Sequence, residues 1–319
     1  MDLMYSKNRS GLRPSFLLLH LALYALLMPT TITATYSIVA TDATTRQVGG
    51  AGATCLPKRD IYEALYLSAP NRTVLHTQGL LLARDDPIII TALDMMQEEN
   101  GTSLDAILEE MQRLDSNNYT FSEELEIPEV EQRQYGIANF DSQTGYSGKS
   151  LAKVWTFYGY RGEIVNVGKD LLDDRYTYRA AGNVVKNGTV DSLQSGFEEQ
   201  NDDFNFGLCD MAGKLMTAMY RVADDEFGDL RCLGNDGTTA TGAYLHIDNP
   251  DGTEFIHINV IDSNPKEPVE ELKEQFVKWR KKNPCDGSEA TSGAAKRMSP
   301  IISTLVAMFG VAWLTLSQE

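Results

Sequence analysis

The apolar positions of this chain fall into three kinds of run. The first is an unbroken block, Leu17–Met28, standing behind Lys7, Arg9 and Arg13. A basic start followed by a short apolar stretch has the form of a secretory signal peptide. Ala34, with Ile32 at the minus-three position, is the small residue at which it would be cut, leaving Thr35 first. The second kind alternates or is rich in β-branched and aromatic residues. It predicts strands at Thr35–Thr41 and Val48–Cys55 joined by a turn over 42–46, in which Asp42 bonds the backbone ahead of it. Pairing these two as a hairpin sets Thr35 opposite Thr54. Gly49, Gly50 and Gly52 weaken the second strand and predict a neighbour packed close against its backbone. Further strands are expected at Gln132–Phe140 paired with Gly145–Lys149, and at Trp155–Tyr160 and Glu163–Val167. Two more, Thr238–Ile247 and Phe255–Val260, flank a turn at 249–252. The third kind recurs at helical spacing. Ile88, Ile89, Ala92, Leu93 and Met96 follow Pro87, and Leu104, Ile107, Leu108, Met111 and Leu114 follow the N-cap Ser103. Helices are also predicted near Val190–Glu199, over Phe206–Val222, and over Val269–Lys281, whose basic C-terminal end suits the helix dipole. Asn117–Glu131 is polar and acidic and reads as a solvated loop. Strand groups alternating with helix pairs give an α+β class with a single domain over 35–284.

Charge and cysteine content narrow the setting. The formal charge is -17 over 319 residues, and the leader is net basic, so the remainder is more acidic still. That excludes a nucleic-acid partner, which requires a basic surface. Behind a leader, Cys55, Cys209, Cys232 and Cys285 predict two disulfides, with three connectivities that the sequence leaves open. Cys209 and Cys232 flank one helical stretch and are one such pair. Asn71, Asn100, Asn118 and Asn187 are four N-glycosylation sequons. The far end carries an apolar run, Ile301–Leu316, short of the roughly 20 residues that a membrane-spanning helix needs. It follows a polar spacer and small residues, which is the form of a GPI-anchor signal over 285–319, with Asp286 or Ser292 as the attachment site. The expected location is therefore the cell surface. With no C-x-x-C pair and three histidines after the leader, no metal or cofactor is expected. His246 and His257 read as packing residues on strands.

The opening Thr35-Tyr36-Ser37-Ile38-Val39-Ala40-Thr41-Asp42 and the Gly/Ala strand after it resemble the family called domain of unknown function 1028. Thr77-Gln78, Arg133-Gln134-Tyr135-Gly136-Ile137, Gly182-Asn183, Gly228-Asp229-Leu230-Arg231-Cys232 and Asn264-Pro265 through Leu272 keep the family's order. Together these pieces span Thr35 to Trp279. The resemblance implies an N-terminal-nucleophile (Ntn) hydrolase fold, a four-layer α-β-β-α sandwich, and implies no substrate. Ala181 stands where the family tends to carry Gln, and Leu56–Arg72 departs from its glycine-rich pattern. The chemistry follows from one residue type. A threonine with a free α-amine carries its own base, because that amine has a pKa of about 7.7–8.0. Thr35 is thus the candidate nucleophile on the carbonyl of a small-molecule or peptide-like amide. Asn183 and Gln78 are candidate donors to the oxyanion, and Asp229 with Arg231 a supporting ion pair. Cys55 is a disulfide partner rather than a reactive thiol. A non-catalytic surface binding module on the same fold is the alternative, and a homo-oligomer is compatible with either.

Overall fold

The structure, a computed structural model, describes residues 32–33, 35–56, 58, 60–80, 84–98, 102–118, 133–140, 163–235, 237–263 and 266–285. Residues 1–31 and 34 of the leader, Asn100, Gly145–Lys149, Trp155–Tyr160, Asn264-Pro265, Asp286, Ser292 and Ile301–Leu316 lie outside them, as does the expected loop from Tyr119 to Glu131. The described strands are β1 (Ile32–Thr33), β2 (Thr35–Asp42), β3 (Gln47–Thr54), β4 (Tyr66–Ala69), β5 (Thr73–Leu80), β6 (Arg133–Asn139), β7 (Glu163–Leu172), β8 (Tyr176–Val185), β9 (Gly242–Asp248) and β10 (Glu254–Val260). The helices are α1 (Ile61–Leu65), α2 (Pro87–Gln97), α3 (Leu104–Asn118), α4 (Thr189–Glu198), α5 (Met211–Asp224), α6 (Leu230–Asn235) and α7 (Pro268–Arg280). They make one α+β domain with two antiparallel sheets. The larger runs β10-β9-β3-β2-β8-β7; in the smaller, β5 pairs with β1 and β4 on one edge and β6 on the other.

The central strands are buried on both faces, so each face has its own core. Tyr36, Ile38 and Ala40 of β2 point to a cluster shared with Leu193 and Phe197 of α4, Leu215 and Met219 of α5, and Leu272 and Phe276 of α7. Val39 and Val48 point the other way, to Tyr66, Val74, Ala138 and Tyr244 between the two sheets. A third cluster joins Leu75, Tyr135 and Ile137 of the smaller sheet to Ile88, Ala92, Ile107 and Met111 of α2 and α3. The close approach expected at the β3 glycines is present. A Cβ on Gly49 would meet Ile247 Cγ1 at 2.6 Å, and one on Gly52 would lie 3.0 Å from Ser37 Cβ.

The opening hairpin has the expected register, with Thr35 opposite Thr54. Other expectations change. The partner of β6 among the described residues is β5, from Thr73 opposite Asn139 to Gly79 opposite Arg133. The α5 helix begins at Met211, because Asp210 caps it by accepting from Gly213 N at 2.9 Å. Asn117 and Asn118 belong to the end of α3 and not to a loop. The disulfides are Cys55–Cys232 and Cys209–Cys285. A Cys209–Cys232 bridge is ruled out because Cys209 pairs with Cys285 and Cys232 with Cys55.

Candidate functional site

Between Thr33 and Thr35 the chain changes sheets. Ile32 and Thr33 pair with Leu80 and Gly79 on the edge of β5, whereas Thr35 opens the central strand of the larger sheet, opposite Thr54 on one side and Asn183 on the other. Had β2 run on, residue 33 would lie opposite Val185. That place is taken by Asp229, which forms an isolated antiparallel bridge with Val185 and accepts from Cys55 N at 2.9 Å. The beginning of β2 is thus framed by Thr54 and Cys55, by Asn183 and Val185, and by Asp229 across the gap. Cys232, two residues into α6, ties this end to Cys55 through the disulfide. The Asp229 carboxylate holds Arg231 at 2.7 Å. Burial pushes its carboxyl above the ordinary range, against the pull of Arg231.

Thr35 itself is fully buried, its hydroxyl donating to Thr54 Oγ1 at 3.3 Å. Alternate residues of β2 share a face, so Thr35 and Ser37 both look toward the smaller sheet, where a polar network fills the space between the layers. Its polarity is fixed from one end. Gln134 Nε2 donates to the carbonyl oxygens of Val165 and Gly182 at 2.9 and 3.2 Å, and carbonyls only accept. Gln134 Oε1 therefore receives Gln78 Nε2 at 2.6 Å and Asn183 Nδ2 at 3.3 Å. Gln78 Oε1 in turn accepts from the Ser37 hydroxyl at 2.9 Å. Ser37 Oγ is then left to accept from His76 Nδ1 at 2.7 Å. His76 is the Nδ1–H tautomer, with a bare Nε2 facing Gly136, and burial pushes its imidazole down to about 3. Ser37 and His76 are hence not a nucleophile and its base, since the Ser37 proton is directed at Gln78.

Thr35, Asn183 and Gln78, singled out in the sequence, converge here. Asn183 is the register partner of Thr35; Gln78 reaches the same space from the other sheet, and each amide commits one proton to Gln134. Ser37, His76 and Gln134 were not singled out. Their signal is polar residues at inward positions of otherwise apolar strands, which demand partners. Asp42 does what its turn requires, accepting from Thr44 N at 2.9 Å, and also grips Arg175 at 2.7 Å at the far end of β2. Asn187 is exposed in the turn before α4, while Asn71 has its Oδ1 held by Arg46 at 2.8 Å. His246 and His257 lie 3.0 Å apart, nitrogen to nitrogen, across the β9–β10 hairpin. A cleft of about 880 Å³ lined by Lys186, Leu230, Thr239 and Glu267 lies behind Asp229, and Thr239 connects it to the Tyr36 hydroxyl at 3.2 Å.

No protein-family model and no curated protein matches the chain. Among solved structures it is similar to a protein from Silicibacter pomeroyi, described under the DUF1028 family model. The TM-score is 0.53 with 15% identity, over 77% of this chain and 86% of that one. At that identity the likeness establishes a shared fold.

Proposed function

We propose that this chain is a secreted, surface-anchored hydrolase of the N-terminal-nucleophile type, built as a four-layer α-β-β-α sandwich and acting on an amide bond through Thr35. The observation that carries the proposal is the switch of sheets between Thr33 and Thr35, on either side of the expected cleavage after Ala34. Cleavage there frees an amine at the head of a central strand that both neighbours already hold in register, so the nucleophile needs no refolding to stand in position. Departure of the Ile32–Thr33 strand from the β5 edge would also uncover a hydroxyl that is buried while that strand is in place. The α-amine of Thr35 then takes the hydroxyl proton as Oγ1 attacks the amide carbon, and passes it to the leaving amine. Amide donors of Asn183 and Gln78 stabilise the oxyanion, and water hydrolyses the resulting ester. Two disulfides and four sequons fit an oxidising, secreted setting. The membrane is reached through the C-terminal signal.

N-terminal sequencing of the protein purified from cells must begin at Thr35. A β-lactone electrophile should acylate that residue in the parent and leave Thr35→Ala unlabelled when the variant is processed at the same bond. A start elsewhere, or equal labelling of the two proteins, overturns the assignment. Release from cells by phosphatidylinositol phospholipase C tests the anchor.

A further inference from the structure

The β9–β10 hairpin at the edge of the larger sheet carries a cluster that the Thr35 chemistry does not use. His246 and His257 are direct cross-strand partners, so their side chains share one face. Their Nδ1 atoms stand 3.0 Å apart. His246 is buried, and its Nε2 donates to Asp248 Oδ1 at 2.8 Å. Asp248 is itself held, its Oδ2 accepting from Ser68 Oγ at 2.6 Å and Tyr66 OH at 3.2 Å. This chain fixes the proton of His246 on Nε2 and leaves its Nδ1 lone pair aimed at His257. A carboxylate that orients a histidine through its second nitrogen is the support a metal-binding imidazole requires.

The third group arrives through an irregularity of the backbone. Glu254 is three residues from His257, and in a regular strand the two would point to opposite faces. The register shifts between Glu254 and Ile256, so Glu254 pairs with Asp248 while Ile256 pairs with Ile247. The extra residue, Phe255, turns to the helical side and packs on Trp279. The bulge thereby delivers Glu254 to the histidine face, as bulges commonly re-aim side chains. One ligand atom from each of His246, His257 and Glu254 then lies within 4.8 Å of the others. Tyr62 packs on both imidazoles, with ring centroids 4.7 and 4.6 Å away, and Asp60 and Glu63 add negative charge beside His257.

We propose that His246, His257 and Glu254 form a site for a borderline divalent metal ion of the zinc class, with Asp248 as its positioning residue. Two imidazoles and one carboxylate suit Zn²⁺ and its transition-metal neighbours over Mg²⁺ or Ca²⁺. Zn–N bonds of about 2.0–2.1 Å in a tetrahedron place two nitrogens about 3.3 Å apart, so the pair need open only slightly. His257 takes up the ion by moving its remaining proton from Nδ1 to Nε2. Three protein ligands leave a fourth position to water, as in open rather than closed zinc sites. The site does not depend on the reading of Thr35.

The test is calorimetric titration of chelator-stripped protein with zinc sulfate, repeated with Co²⁺ to read d–d absorption. The parent should bind one ion per chain at micromolar concentration and give the visible bands of a low-symmetry cobalt site. His257→Ala, at a solvent-accessible position, should weaken binding at least 100-fold and abolish the bands, and Asp248→Asn should weaken it about 10–100-fold. No binding at millimolar zinc overturns the proposal. Binding that His257→Ala and Glu254→Gln both leave unchanged would put the ion elsewhere and overturns it equally.

Discussion

His76 shows how one buried side chain fixes the behaviour of a region. Its Nδ1–H is held by Ser37 and its Nε2 is sealed against Gly136, where an added Cβ would lie 2.1 Å away. Gly136→Ala must therefore displace a ring that cannot move freely, and should cost about 1–3 kcal/mol by urea denaturation. The same burial sets a pH dependence. His76 is pushed from 6.5 to about 3 in the folded protein. Between those values the unfolded chain binds a proton that the folded chain refuses. Stability is thus fully present above pH 6.5 and falls with acid, by up to about 1.4 kcal/mol per pH unit. Measured against His76→Gln, the stability difference must shrink as pH drops; a difference that is flat with pH would refute the assignment.

At the scale of elements, long-range ties hold local structure in place. The Cys55–Cys232 bridge spans 177 residues and fastens α6 to the end of β3, next to the beginning of β2. Replacing both cysteines by Ala should cost about 2–5 kcal/mol. Non-reducing peptide mapping should return Cys55–Cys232 and Cys209–Cys285, and a Cys209–Cys232 peptide would contradict the fold. A second tie is the Arg133–Asp115 pair at 2.7 Å, with side chains 2% and 0% exposed, which joins β6 to α3. Asp115→Ala leaves the Arg133 charge buried without its carboxylate and should cost about 3–5 kcal/mol. Pairing it with Arg133→Met should restore much of that, because the cost lies in keeping a guanidinium buried after the Asp115 carboxylate is lost. Failure of the double variant to recover would mean that the loss arises from packing alone.

For the molecule as a whole, the two sheets matter because they bring together groups that no local pattern links. Ser37 meets Gln78 across a separation of 41 residues, and Gln78 meets Gln134 across 56. The proposed hydrolase and the proposed metal site stand on different strands of the same larger sheet, one at the head of β2 and one on the β9–β10 edge. Zinc loading should accordingly protect the parent against thermal unfolding without altering the acylation of Thr35. Loss of labelling on zinc addition, with His257→Ala protected from that loss, would show that the sites are coupled.

The opening hairpin, its register, the α+β class and most helices were legible in the sequence, because alternation, helical spacing, caps and glycines act within a few residues of one another. β5 and β8 were not. Tyr176–Val185 contains Arg179, Gly182 and Asn183 and shows no alternation; it is a strand because β2 and β7 pair with it on either side and packing covers both of its faces. Thr35, Gln78 and Asn183 were visible as residue types in a motif, but their convergence, the disulfide pairing and the delivery of Glu254 to two histidines depend on register and on contacts between distant segments. Residue chemistry is local and can be read along the chain; proximity is set by the packing of whole sheets, and only the folded molecule decides it.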